Sequence, residues 1–287
     1  MNAPLAHAAA LPMMLTELRL PTVRAQWQTV AETANREGWP AERFLSTLLD
    51  MEMVEREIRR VERHRSESQL PPGKLCSNFD FAAVPSVSKA LVMAMIEADA
   101  WLEQGANLLV FGPPGVGKTH LIASVGHALV EAGKRVYFTR TTDLVQRLQA
   151  AKRDLRLPAE IAKLDRFDLL LLDDFSYVRR DQTETTVLFE LIAERYERKS
   201  IALTANQPFS EWNQVFPEPA MTVAAIDRLV HHATILEFNN DTVRGQQARG
   251  RQKGQAEPPE GPLGSTPSLA PGGAKDSVPP KGPSPKD

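Results

Sequence analysis

From residue 112 the chain reads Gly112-Pro113-Pro114-Gly115-Val116-Gly117-Lys118-Thr119 and then His120, which fits the spacing G-x-x-x-x-G-K-[ST]. Residues of these types at this spacing grip a polyphosphate. Glycines let successive backbone N–H groups converge on crowded negative charge, and a helix that follows adds the positive end of its dipole. Lys118 supplies a full charge at the β- and γ-phosphates. The Thr119 hydroxyl suits Mg²⁺, a small hard cation that takes oxygen donors and keeps several waters. Residues Gly112 to Thr119, together with His120, are therefore the expected nucleotide contacts. A Gly-rich turn with no ligand is the alternative.

The next chemistry-bearing residues are Asp173 and Asp174, which end the apolar run Leu169-Leu170-Leu171-Leu172. A buried strand that ends in carboxylates puts acid at the carboxyl edge of a sheet, where ligands bind in open α/β folds. Asp173 is the expected outer partner of Mg²⁺, and Asp174 the expected base that polarises an attacking water. Two solvated loop aspartates are the alternative. Thr119 and Asp173 lie 54 positions apart. That leaves room for an inserted strand and helices, which suits a water-activating ATPase better than a small metabolite kinase with an Arg-rich lid. Asn206 follows the apolar run at 200–204, where its amide can orient water or read the γ-phosphate. An asparagine there is also an ordinary turn residue.

These groups need a scaffold that brings strand ends together. Apolar runs alternate with amphipathic helices from residue 107 onward, the pattern of a mostly parallel sheet covered on both faces. The expected strands are 107–111, 135–139, 168–172, 200–204 and 234–238. One intervening helix, over 183–198, has Val187, Leu188, Leu191, Ile192 and Tyr196 on one side. The fold class is thus α/β: a three-layer P-loop NTPase domain with a parallel sheet. Ahead of it, residues 1–70 form a small helical module. Residues 13–35 are expected to be helical with a break at Pro21, and 42–65 to be an amphipathic helix burying Phe44, Leu48, Met51, Val54, Ile58 and Val61. Pro71, Pro72 and Gly73 end the module. The nucleotide domain then spans 71–250, and a Pro/Gly/Ser-rich tail expected to be disordered covers 251–287.

Composition narrows the setting. Of 287 residues, 42% are hydrophobic and 24% charged, the profile of a soluble globular protein, and the formal charge of −2 excludes a protein basic overall. Cys76 is the one cysteine, so no internal disulfide or thiolate metal site can form, and a reducing cytoplasm is expected. The first residues lack a basic n-region and contain Pro4 and Pro12, unlike a secretory signal, and no apolar run reaches membrane-spanning length. His231 and His232 are adjacent rather than one turn apart. This suits the start of a strand better than a zinc site.

With these motifs in place, the chain resembles the IstB transposition helper ATPases, relatives of the DnaC-type helicase loaders within the AAA+ proteins. Beyond the loop and acid pair, the likeness rests on three runs: Tyr177 to Ile192, Asn206-Gln207-Pro208-Phe209, and Met221 to Ala233. It covers residues 14 to 245. The resemblance implies an ATP-dependent homo-oligomer that binds duplex DNA with little sequence preference and cooperates with the transposase of its insertion element. It also implies that Asn206 is the first sensor and that Arg228 is an arginine finger acting on a neighbouring subunit. Such a residue is worth roughly 10³ to 10⁵ in rate. Two departures stand out. Many AAA+ proteins carry glutamate where Asp174 stands. Little chain follows Phe238, so a helical lid with a second sensor arginine is not expected, and Arg244 is the remaining candidate.

Basic residues cluster after the second strand (Arg140, Arg147, Lys152, Arg153, Arg156) and after the acid pair (Arg179, Arg180). Of these, Arg140, Lys152, Arg153, Arg179 and Arg180 are the candidate DNA contacts, of the sequence-blind kind made to phosphates. Solvated helix faces explain such clusters equally well. The arginines at 56–65 are balanced by Glu52, Glu55, Glu57 and Glu62, so i to i+4 pairing accounts for much of that helix and suggests docking rather than DNA clamping. Two other functions stay open: a replicative helicase loader, and a DNA scaffold that binds ATP to assemble but turns it over negligibly.

Overall fold

A computed structural model of the chain describes residues 3–175, 182–214 and 218–238. The five apolar runs form strands β1 (Asn107–Phe111), β2 (Val136–Arg140), β3 (Leu169–Asp173), β4 (Ser200–Ala205) and β5 (Ala233–Glu237). No end differs from expectation by more than one residue. The strands form one parallel sheet in the order β2-β3-β4-β1-β5. The three central strands are buried along their whole length. This explains why they read as unbroken apolar runs rather than alternating ones.

Alternation appears in which face each residue serves. Leu109, Phe111, Leu170 and Leu172 join the core beneath helices α7 (Thr141–Arg153), α8 (Leu157–Leu164), α9 (Gln182–Arg195) and α10 (Pro219–Val230). Leu108, Val110, Leu169 and Leu171 join the opposite core, beneath α4 (Lys89–Glu97), α5 (Ala100–Glu103) and α6 (Lys118–Glu131). The result is the three-layer P-loop AAA+ architecture, preceded by helices α1 (Ala3–Glu17), α2 (Pro21–Glu37) and α3 (Ala41–Glu67).

The helical module has a small core of Leu15, Val23 and Leu48, with Trp27, Val30 and Phe44 packed on it. Its α3 departs from the face read in the sequence. Val54 is 60% exposed and Ile58 52%, while Glu52 is buried. The reason lies in the neighbouring helix. Leu20 gives the start of α2 no side-chain cap. The Glu52 carboxylate instead accepts the Thr22 and Val23 N–H groups at 2.8 and 3.2 Å. An anion at the positive end of a helix, satisfying otherwise orphaned donors, outweighs the apolar pattern in setting the rotation of α3. The expected i to i+4 pairs Glu52–Arg56 and Glu55–Arg59 are present on the same helix.

The end of α3 rests on the nucleotide domain. Arg65 pairs with Glu131 of α6, and Glu67 with Arg135 at 2.8 Å. Phe138 of β2 donates its N–H to the Ser68 carbonyl at 2.7 Å. At the amino edge of the sheet Arg195, only 1% exposed, donates to the carbonyls of Leu164, Phe167, Asp168 and Ser200. Asn107 donates to the Leu229 carbonyl at 3.0 Å and accepts the Ile201 N–H at 2.8 Å. Together they hold the starts of β1, β3 and β4 level.

Candidate functional site

The strand order decides the site. β3, β4 and β1 are neighbours, so the acid pair, Asn206 and the phosphate loop all emerge side by side at the carboxyl edge. The loop is shaped by its glycines. A Cβ on Gly112 would lie 2.6 Å from Cβ of Phe238, and Gly117, at φ 109, occupies a backbone region that side chains disfavour. Val116 is buried in the core and anchors the loop from beneath.

Lys118 is 6% exposed. Its Nζ donates to the carbonyls of Gly112 and Pro113 at 2.7 and 2.8 Å and to Oδ1 of Asn206 at 2.7 Å. Burial pushes its pKa below the usual lysine value, against the opposing pull of Asp174 and Asp173. The Thr119 hydroxyl meets Asp173, with Oγ1 2.8 Å from Oδ1 and 3.1 Å from Oδ2. Two neighbouring ligands on an octahedral Mg²⁺ stand about 2.9 Å apart, given metal–oxygen distances near 2.1 Å. This hydroxyl–carboxylate pair therefore fits that ion.

Asp174 sits at φ 55, a left-handed backbone uncommon outside glycine that aspartate tolerates better than most residues. Burial raises its pKa above the usual carboxylate value, Asp173 raises it further, and Lys118, Arg140 and Lys74 oppose them. Pro114, Gly115, Gly117, Lys118, Thr119, His120, Asp174 and Asn206 line one cavity of about 540 Å³, with Lys74 as an additional wall.

Three residues here escaped the sequence reading. Thr204, buried in β4, donates its hydroxyl to Asp173 Oδ1 at 2.6 Å and accepts the Asp174 N–H at 3.0 Å. Thr141 donates to the Asp173 carbonyl at 2.8 Å. A lone threonine in an otherwise apolar central strand is the only signal Thr204 offered. Lys74 carried none, since its partners lie far along the chain.

Arg228 lies elsewhere. It sits in the last turn of α10, where its Nη1 donates to the Ala224 carbonyl at 2.8 Å and its guanidinium lies 5.1 Å from the Phe189 ring. Its own carbonyl faces Asn107, the first residue of β1, whereas the phosphate loop leaves the last. Four strand steps at about 3.3 Å each separate those ends, so Arg228 does not line the pocket of its own chain. Exposed His231 and His232 precede β5, and with Glu197 they form the one cluster of three or more His, Cys, Asp or Glu side chains among the described residues whose ligand atoms lie close enough to share a metal ion. His231 Nδ1 is already 2.7 Å from the Tyr196 hydroxyl, which ties this turn to the end of α9.

The basic cluster after β2 is partly neutralised. Arg147 pairs with Glu160, Lys152 with Glu190 and Arg156 with Asp154, whereas Arg140 and Arg153 are exposed with no ion pair among the described residues. Arg179, Arg180, Arg244 and the tail at 251–287 lie outside the described residues. No described helix is long and apolar enough to cross a membrane.

The family model for IstB-like ATP-binding protein matches residues 13–251. The chain belongs to the IstB-like ATP-binding family. It is 60% identical over 250 residues to a protein of Sinorhizobium fredii named as an insertion-sequence ATP-binding protein, covering 87% of this chain and 84% of that one. It is 32% identical over 238 residues to the corresponding IS5376 protein of Geobacillus stearothermophilus, covering 83% of this chain and 94% of the relative. Among solved structures, AMPPCP-bound DnaA from Aquifex aeolicus superposes with a TM-score of 0.51 at 19% identity, covering 66% of this chain and 57% of DnaA. This last likeness concerns the AAA+ fold. ATP binding is thus the property that family and pocket share.

Proposed function

We propose that this IstB-family protein hydrolyses ATP with Mg²⁺ as an oligomer on duplex DNA, in the service of the transposase of an insertion element. The observation that carries the catalytic part is the meeting of Lys118, the Thr119–Asp173 pair, Asp174 and Asn206 around one cavity. Lys118 and the loop amides bind the phosphates. Thr119 and Asp173 would hold Mg²⁺, which supplies charge neutralisation and a template for the transferring phosphoryl group. Asp174 takes the proton of the attacking water, and Asn206, released from Lys118, holds that water or the terminal oxygen. Water adds to the γ-phosphorus as the bond to the β-bridging oxygen breaks, giving ADP and phosphate.

Arg228 cannot serve its own pocket, which favours a role toward a neighbouring subunit. Arg140 and Arg153, exposed and without an ion pair among the described residues, remain the candidates of the basic cluster for phosphate contacts on DNA, and such contacts make affinity fall steeply with salt. The names of the relatives support the transposition setting. The test measures Mg·ATP affinity, phosphate release and particle mass with and without duplex DNA. Lys118→Ala should weaken binding by about 100-fold or more, given a buried charge-assisted contact. ATP binding and assembly without any phosphate release would leave an ATP-gated scaffold. Capture of a replicative helicase in place of the transposase would make the chain a loader.

A further inference from the structure

Lys74 belongs to the segment that joins α3 to the nucleotide domain, yet its side chain lines the same cavity as Lys118, Thr119, Asp174 and Asn206. It is half-buried and has no ion pair among the described residues. Its charge acts on Asp174, as do those of Lys118 and Arg140. In the hydrolysis proposed above, Asp174 marks the end of the cavity where the terminal phosphate meets water, and Lys74 lines the same cavity.

The segment around Lys74 is pinned to one side of α6. The Pro71 carbonyl is 3.1 Å from His127 Nε2, the Leu75 carbonyl 3.2 Å from His120 Nε2, and Cys76 Sγ 3.2 Å from Ser124 Oγ. Residues 120, 124 and 127 share a helix face. Leu70 lies so close to Gly126 that a Cβ there would come within 2.9 Å of it. Asn78 holds the Gly73 carbonyl at 3.2 Å. The main chain on both sides of Lys74 is fixed to the helix that begins in the phosphate loop, and the same segment runs back into α3 through Ser68.

We infer that Lys74 is a second cationic side chain, beside Lys118, for the terminal phosphate of a bound nucleoside triphosphate, so that the segment leading to the helical module distinguishes triphosphate from diphosphate. The inference rests on the ATP-binding site proposed above. The chemistry follows from charge. Lys118 is the other cation in the cavity wall beside the two aspartates, and Arg140 acts on Asp174 from outside it. Lys74 balances the second carboxylate and leaves the pocket receptive to the added negative charge of a γ-phosphate. ADP ends before that position and loses little when Lys74 is removed.

The test uses the full chain and compares equilibrium binding of Mg·AMPPCP and Mg·ADP by calorimetry in the unsubstituted protein, Lys74→Ala, Lys74→Gln and Lys74→Arg. Loss of one charge-assisted contact predicts roughly 10- to 100-fold weaker AMPPCP binding in Lys74→Ala and Lys74→Gln, with ADP changed by less than about threefold, and substantial recovery in Lys74→Arg. Hydrogen exchange adds a readout at a distance. AMPPCP should protect residues 68–78 more than ADP does in the unsubstituted protein, and this difference should vanish in Lys74→Ala. Equal weakening of both nucleotides would place Lys74 at the base or sugar and overturn the inference, as would no change in either. If the unsubstituted protein binds neither nucleotide, the failure belongs to the ATP reading of the site and not to Lys74 alone.

Discussion

At the amino edge of the sheet, Arg195 and Asn107 give their hydrogens to main-chain carbonyls. At the carboxyl edge, Lys118, Thr119, Asp173, Thr204 and Asn206 bond largely to one another's side chains. The first arrangement leaves nothing to exchange, because a carbonyl fixed in a strand or helix end cannot turn away. The second can trade partners, since every bond that Lys118 and Thr119 make to a side chain can be replaced by one to a phosphate or a metal. Positive φ occurs at both edges, at Gly105, Gly133, Glu197 and His232 in the turns that enter the strands and at Gly112, Gly117 and Asp174 beside the cavity. One edge holds the fold in register and the other is free to bind.

The sharpest test of that contrast is Asp174→Asn. Loss of a general base should lower phosphate release by about 10² to 10⁴. Thermal stability should hold or rise, because a carboxylate whose pKa is raised in the fold costs stability when ionised at neutral pH. A large loss of stability in this variant would erase the distinction between the edges. Arg195→Ala should do the reverse. Leaving buried carbonyls and Asp165 without their cation should cost about 3–5 kcal/mol in urea unfolding, in the manner of a broken buried pair. The fraction that stays folded should bind Mg·ATP within about twofold of the unsubstituted protein, as expected for distant sites.

Two smaller effects probe the binding edge alone. The Asp174 pKa is raised by burial and by Asp173, so turnover should fall on the acid side at a pH above the usual carboxylate range. The Lys118 pKa is lowered by burial, so ATP affinity should fall on the alkaline side before an ordinary lysine deprotonates. A pH profile as wide as the unshifted values would contradict both directions. The smallest effect is at Thr204. Thr204→Val removes one donor to Asp173 and should cost about 1 kcal/mol while raising the Mg²⁺ concentration needed for half-maximal turnover. Thr204→Ser should restore that requirement.

The carboxyl edge was readable in the sequence wherever neighbours along the chain make the site. A glycine-rich loop before a helix, and acids directly after a buried strand, announce themselves locally, and burial of three central strands fixed their limits to within a residue. Thr204, Lys74 and Glu52 were not readable, because each acts on groups 30 or so positions away or more and no local pattern marks them. Glu52 also overturned a local pattern, since capping α2 turned Val54 and Ile58 toward solvent. Arg228 occupies an intermediate case. Resemblance singled it out, and only its contact with Asn107 at the start of β1 shows that it stands at the wrong edge to act within its own chain.

Arg195 has one more consequence. Its guanidinium joins carbonyls at the end of α8 and at the starts of β3 and β4, and burial brings its pKa down only to about 10, so it remains a cation at neutral pH. Sliding β4 by one position against β3 would take the Ser200 carbonyl away from that buried cation. A slipped pairing is thereby penalised before any nucleotide arrives, and the far ends of the two strands deliver Asp173 and Thr204 at matching height by default. A positive charge that never meets the ligand thus acts as the ruler by which the ligand's pocket is cut to length.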